Sequence, residues 1–284
     1  MAAIVTDQFR ILNANNFVET VDDSANSYYI TLGLANPTLA VGFGRTTDWN
    51  TDTPSPTDNF NYIDHSGDTQ IFGKKVTSAN IRRLITRRNW TQGTRYEMYR
   101  HDYSVTNPSP ITNSTRLYDS SSYVINKNFD VYVCIDNGSS GISSTGNASQ
   151  DEPLFTDLEP SRAGESGDGY IWKYLFTVPP SDIIKFYSTE YISVPSNWPT
   201  SSETQIQSVR ENGDSTINNN QIKKVYIDKL GFGYSQNIVG REVDIVGDGT
   251  GGKVIIDTDS NGRIIKTVVS SGGQGYTYGM VDLG

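Results

Sequence analysis

The stretch that most limits how this chain can fold is "GYIWKYLFTVPP", residues 169 to 180. Trp172, Tyr174, Phe176 and Val178 alternate with Ile171, Lys173, Leu175 and Thr177. A two-residue period is that of a β-strand, whose successive side chains point to opposite faces. Large residues in both sets predict a strand buried on both faces, or buried on one and covered by a partner on the other. Pro179 and Pro180 have no N–H to give to a ladder, so the strand ends there. Upstream, Gly167 and Gly169 flank Asp168, whose carboxylate can hydrogen-bond its own backbone in a tight turn.

The same texture recurs along the chain. "SYYITLGL" (27–34) and "FDVYVCIDNG" (129–138) are β-branched and aromatic, and the second ends in a turn signal. Long polar stretches separate such strands. The segment 137–153, "NGSSGISSTGNASQDEP", has too little apolar surface to be expected to order itself. Two stretches predict helix. One follows Thr6 as N-cap, with Phe9, Leu12, Asn16 and Val21 at helical spacing. The other is 77–88, "TSANIRRLITRR", capped by Thr77 or Ser78, with Ile81, Leu84 and Ile85 as its apolar stripe. Residues 201–220 read as a polar linker. Beyond them the chain turns glycine-rich, with "GFGY" at 231 and "GQGY" at 273 enclosing short strand patterns. Asn261-Gly262 between "KVIID" and "RIIKTVV" is a hairpin signal.

The expected fold class is therefore mainly β and multi-domain. A β-sandwich core is expected, with a few short helices near the N-terminus and a small glycine-rich all-β C-terminal module. The expected divisions are an N-terminal α+β region at 1–90, a β-sandwich domain at 91–200, a linker at 201–221 and the glycine-rich module at 222–284. The module ends at "MVDLG" without a terminating element, which leaves a chain that continues past Gly284, or was trimmed there, as the expectation.

Charge narrows the function. Of 284 residues, 32 are acidic and 23 basic, a net charge of −9. That balance repels a phosphate backbone and an anionic lipid surface, so neither nucleic acid nor membrane is an expected partner. The opening "MAAIVTDQFRILNANNF" lacks a basic and then apolar leader, and no apolar run approaches the ~20 residues needed to span a bilayer. A soluble protein made in a cytoplasm is expected.

Chemistry finds little support. His65, His101 and Cys134 are too few, and too irregularly spaced, for a structural zinc site. No G-x-S-x-G elbow accompanies the histidines. "DTDSNG" (257–262) places Asp257, Asp259, Asn261 and Gly262 as in the first half of a calcium loop, but Val268 stands where the bidentate acid belongs. A polar hairpin tip is the better reading, with weak calcium binding as the alternative. "GDGTGG" (247–252) and "GSSG" (138–141) read as turn glycines, because neither continues into Gly-Lys-Ser/Thr at a helix start. Two carboxylates at glycosidase spacing could arise by chance among so many acids. Trp49, Trp90, Trp172 and Trp198 are scattered, and each fits a core better than a sugar platform. No catalytic residue, metal ligand or cofactor is expected.

Six blocks stand in a set order: "AIVTDQFR" (3–10), "YITLG" (29–33), "GRTTDW" (44–49), "RRNWTQGTRY" (87–96), "GDGYIWKYLFTVPPSD" (167–182) and "EYISVP" (190–195). Over roughly residues 1–200 the chain thereby resembles the baseplate wedge proteins of the gene product eight family, found in T-even-like contractile-tailed phages. The resemblance implies a β-rich structural protein of the virion that dimerises and packs against other wedge subunits, with no catalytic residue and no cofactor. The glycine-rich tail departs from the T-even pattern and is similar to β modules on structural proteins of cyanobacterial phages. The runner-up is a carbohydrate- or receptor-binding tail module, and a tail-associated glycosidase comes third.

Interface cores favour Tyr, Trp and Arg. The candidate interface residues are Arg82, Arg83, Arg87, Arg88 and Trp90, with Trp172 and Tyr174 on the aromatic strand. The bland alternative is a solvated helix face, with Trp90 packed inside its own domain.

Overall fold

The computed structural model describes residues 7–33, 63–100, 103–139, 145–195, 197–210, 220–227, 229–281 and 283. The block "GRTTDW" and Trp49 lie outside them. The chain divides into two compact units, Met1–Ile81 and Arg82–Gly284.

The first unit carries helix α1 (Asp7–Asp22), strand β1 (Tyr28–Leu32), helix α2 (Ile63–Asp68) and strand β2 (Phe72–Val76). The helix expected after Thr6 is present. β1 and β2 form an antiparallel ribbon with Tyr28 opposite Val76 and Leu32 opposite Phe72. Its apolar groups face water: Phe9, Ile11, Leu12 and Phe17 on α1, and Tyr29, Ile30 and Leu32 on β1 are all exposed. Among the described residues Val21 is the one apolar side chain of this unit that is buried.

The helix expected over 77–88 does not form. A single 3₁₀ turn, Ser78–Asn80, is closed by Asn80 Oδ1, which accepts from the Thr77 N–H at 3.2 Å and the Thr77 hydroxyl at 3.0 Å. The chain then runs extended as β3 (Leu84–Thr86). Leu84, Ile85 and Thr86 satisfy a two-residue period as well as a helical one. Pairing decides between them: Ile85 sits opposite Ile192 of β7 (Tyr191–Ser193) and turns into a shared core.

The second unit continues with a 3₁₀ turn at Leu117–Asp119, then β4 (Tyr123–Ile125), β5 (Asp130–Asn137), β6 (Tyr170–Thr177), α3 (Pro180–Phe186), β7 and α4 (Thr204–Arg210). β4, β5 and β6 form a three-stranded antiparallel sheet with β5 in the middle. On β6, Tyr170, Trp172, Tyr174 and Phe176 are buried, while Ile171, Lys173 and Leu175 are half-buried, so the alternation read from the sequence is the alternation of the fold. Two clusters pack this sheet. Tyr96, Val124, Tyr132, Cys134, Tyr170 and Trp172 lead the first. Ile125, Val131, Phe176, Val178 and Ile192 form the second, where the β3–β7 pair covers one end of the sheet. Pro179 caps α3 and Pro180 opens it, the position where a missing N–H costs a helix nothing.

The polar stretch after β5 was expected not to order itself, and its described part, 145–153, overturns that. It is held by hydrogen bonds instead of apolar burial. The Gly93 N–H donates to the Ser149 carbonyl at 2.7 Å, Ser149 N–H donates to Thr94 O at 2.8 Å, and Asn147 N–H donates to Asn137 O at 2.9 Å. Ser149 and Pro153 are buried as a result. A loop whose backbone finds partners at several points needs little apolar surface.

The glycine-rich region is a four-stranded antiparallel sheet in the order β10-β9-β8-β11, from β8 (Arg241–Gly247), β9 (Thr250–Thr258), β10 (Ile264–Gln274) and β11 (Gly279–Val281). Asn261 and Gly262 lie in the β9–β10 connection, as expected. Ile245, Val254, Ile256 and Tyr276 form its core, with Ile222 and Val225 packed against them. Tyr276, from the second Gly-x-Gly-Tyr turn, is buried. Its hydroxyl accepts from the Gly252 N–H at 3.1 Å and donates to the Ile245 carbonyl at 3.0 Å. The architecture is mainly β, with several antiparallel sheets and few short helices.

Candidate assembly surface

The arginines between Ile81 and Trp90 flank the short strand β3 rather than lying on a helix, and each reaches a different neighbour. Arg82 Nε donates to both oxygens of Asp182, at 3.1 and 2.9 Å, and its guanidinium lies 5.1 Å from the ring centre of Phe186. Arg83 gives its carbonyl to the Val194 N–H at 3.0 Å, which extends the β3–β7 ladder. Arg87 donates to Asn89 Oδ1 and to the Ser188 carbonyl, both at 2.9 Å, and stacks over Tyr187 at 4.9 Å. Arg88 donates to the Asp119 carbonyl at 3.2 Å and lies over Tyr123 at 5.9 Å.

Trp90 is half-buried against the first core cluster, and its indole N–H donates to Ser149 Oγ at 3.0 Å. Trp172 is fully buried, and Tyr174 nearly so. The seven residues therefore do not form one patch. Arg82 and Arg87 meet aromatic residues of α3 and the turn after it, Arg88 and Trp90 lie along β4 and its neighbours, and Trp172 and Tyr174 are inside the sheet.

Exposed apolar side chains stand on the elements beside Arg87, among exposed polar ones such as Lys185 and Glu190. Ile184 is 86% exposed, Tyr187 58%, Leu84 47% and Tyr191 42%. Leu84 and Tyr191 project from the face of the β3–β7 pair opposite Ile85 and Ile192. An arginine stacked on a tyrosine, with exposed aliphatic and aromatic side chains on the same elements, suits the centre of a protein–protein interface. Sequence reasoning found Arg87 but not Ile184, Tyr187 or Tyr191. Their exposure follows from α3 and β7 packing the opposite faces inward, which no local pattern announces.

Other chemistry has no seat among the described residues. No group of three or more His, Cys, Asp or Glu side chains there could hold a metal ion. At the hairpin tip, Asp259 gives its oxygens to the side chain of Arg263, at 2.7 Å, and to the backbone N–H groups of Asn261 and Arg263, each at 2.9 Å. The Asp259 carboxylate is thus already paired with a guanidinium. Burial pushes the Cys134 thiol well above its usual range, so it stays protonated and unreactive. Of the described tryptophans, Trp172 is buried and Trp90 and Trp198 are half-buried against core clusters, so none is set out as a flat sugar platform. No helix among the described residues is long and apolar enough to cross a membrane.

Fold and surface together define a β-rich chain, in which large side chains fasten strands and loops among the described residues. Comparison with known proteins sharpens this. Residues 134–230 match the family model Phage-Gp8, described as bacteriophage T4 Gp8. The chain is also similar to the baseplate wedge protein gp8 of Enterobacteria phage T4, 28% identical over 226 residues that cover 69% of this chain and 61% of the relative. It thus spans about three fifths of the length of that curated relative. Both matches bear out the resemblance carried by the ordered sequence blocks. The family match ends at Leu230, just before the first Gly-x-Gly-Tyr turn.

Proposed function

We propose that this chain is a structural subunit of the baseplate wedge of a contractile phage tail, working through protein–protein contacts in the virion and catalysing nothing. The observation that carries the reading is the similarity to a baseplate wedge protein over 69% of the chain, and the family-model match at 134–230 includes β6 and the α3–β7 surface. The exposed group around Arg87, Tyr187 and Tyr191 supports it, because such a surface gains most by being covered. The partners are other wedge subunits of the same virion and a second copy of this chain. Within the proposed interface Arg87 contributes directly. Arg82, Arg83, Arg88, Trp90, Trp172 and Tyr174 hold the strands that present it.

The test is reconstitution. The purified chain, mixed with the other wedge proteins of its phage, is expected to enter a complex that sediments as one species, and alone to sediment as a dimer. Tyr187→Ala with Tyr191→Ala is expected to weaken that assembly while leaving the melting temperature nearly unchanged. A monomer that joins no wedge complex, and is missing from purified baseplates, would overturn the proposal.

A further inference from the structure

The segment 221–227, "QIKKVYI", joins two bodies with separate cores. Its apolar members face the glycine-rich sheet: Ile222 and Val225 belong to the cluster of Ile245, Val254, Ile256 and Tyr276. Its backbone follows, with the Ile222 N–H donating to Gly272 O at 2.9 Å and the Val225 carbonyl accepting from Thr267 Oγ1 at 2.7 Å. Its polar members reach the other way, to the body built on β4-β5-β6. Lys223 pairs with Glu159 and Lys224 with Asp136. The Tyr226 hydroxyl donates to the Tyr99 carbonyl at 2.7 Å, and the Arg100 guanidinium lies 5.9 Å from the Tyr226 ring centre.

No hydrophobic cluster of the described residues spans this junction: the two clusters of the body and the one of the sheet share no member. Open space flanks the segment on both sides, about 980 Å³ toward the sheet and about 120 Å³ toward Met98, Tyr103 and Pro110, so the segment is close-packed against neither body. A junction held by ion pairs and hydrogen bonds over an unfilled gap has little apolar burial to keep it shut, and its attraction falls as salt screens it.

We propose that residues 221–227 are a charge-held latch, by which the glycine-rich sheet docks on the β4-β5-β6 body and from which it undocks as an intact body. The lysines are the latch. Ile222 and Val225 are its anchor and stay with the sheet when it opens. The ion pairs are partly shielded, with side-chain exposures of 15% and 19% for Lys224 and Asp136, so they carry more than a fully solvated pair would. Ordinary ionic strength leaves them closed, and molar salt opens them.

Zero-length carbodiimide cross-linking of the full chain, read by mass spectrometry, tests this at about 0.05 M and about 1 M sodium chloride, where the screening length falls to ~3 Å. The expected result is that the Lys223–Glu159 and Lys224–Asp136 links form at low salt and fall roughly tenfold at high salt, while the Lys253–Glu242 link, between two strands of the sheet, forms at both. Hydrogen exchange on the same samples should leave β9, β10 and the Ile222 amide protected, because the Ile222 N–H is held by Gly272 of the sheet. Three results would each overturn the latch: junction links undiminished at high salt, loss of the Lys253–Glu242 link in parallel with them, or loss of protection in β9 and β10.

Discussion

Trp172 lies nearly flat on Tyr170, with ring centres 5.4 Å apart and planes inclined by 14°. Tyr96 meets both edge-on, at 5.5 Å from Trp172 and 6.3 Å from Tyr170. This trio is the centre of the body, since all three rings are buried. The Trp172 indole N–H is buried without a hydrogen-bond partner, whereas the Tyr170 hydroxyl accepts from the Tyr96 N–H and donates to the Asn147 carbonyl, both at 2.8 Å. Trp172→Ala is expected to cost about 3–5 kcal/mol in urea unfolding, as for other large-to-small core changes. Trp172→Phe costs much less, because the N–H it removes has no bond to lose. Tyr170→Phe, though smaller in volume change, costs about 1–3 kcal/mol by stranding the buried Tyr96 N–H.

The turn before that strand separates two causes of glycine use. Gly167 and Gly169 both have positive φ, +72° and +87°. A Cβ on Gly167 would meet open space, whereas one on Gly169 would lie 2.8 Å from the Gly138 Cα. Gly167→Ala is therefore expected to show only the left-handed backbone penalty, about 1–2 kcal/mol. Gly169→Ala adds a backbone clash and shifts the thermal midpoint further. Equal midpoints for the two variants would contradict this.

Strand character was legible wherever side chains alternated over a long run. β5, β6 and the β9–β10 hairpin fall where Val131 to Ile135, Trp172 to Val178 and Asn261-Gly262 put them. What failed was short or non-local. Leu84-Ile85-Thr86 satisfies both periods, and only pairing with a strand more than a hundred residues away makes it extended. The loop around Ser149 looked too polar to settle, because composition counts apolar surface and is blind to the partners its backbone groups find, the Gly93 N–H for its carbonyl and the Thr94 carbonyl for its N–H. The arginines were legible as chemistry, but their directions were not, since a helix and a strand aim them differently.

Asp248 links the β8–β9 turn to the chain ahead of β11. Its carboxylate accepts from the Thr277 hydroxyl, from the Thr277 N–H at 2.9 Å and from the Tyr278 N–H at 3.2 Å. These bonds favour the ionised form and hold its pKa at about 2, below the ordinary 3.8. A depressed folded value means the contribution is complete above the unfolded pKa and is lost as pH falls toward about 2. The glycine-rich sheet is thus expected to lose thermal stability between pH ~4 and pH ~2. Asp248→Asn should flatten that part of the profile. A wild-type profile already flat across this window would show that the bonds are not formed in solution.

Asp182 is 3% exposed, and Arg82 covers its carboxylate from the neighbouring strand. Removing the arginine leaves a buried negative charge without its ion-pair partner, which costs about 3–5 kcal/mol in comparable pairs. Arg82→Met is therefore expected to lower the urea midpoint strongly, with Phe186 losing the cation that now lies over its ring. Arg82→Met combined with Asp182→Leu should recover much of that loss, since no charge is then buried. Additive losses in the two single variants and the double would mean the pair is not coupled. Arg87 gives the contrast: its stack on Tyr187 is half in water, so Arg87→Met should change stability by less than ~1 kcal/mol. Its larger effect would appear in assembly with other subunits, which separates a residue that braces the β3–β7 corner from one that meets a partner there.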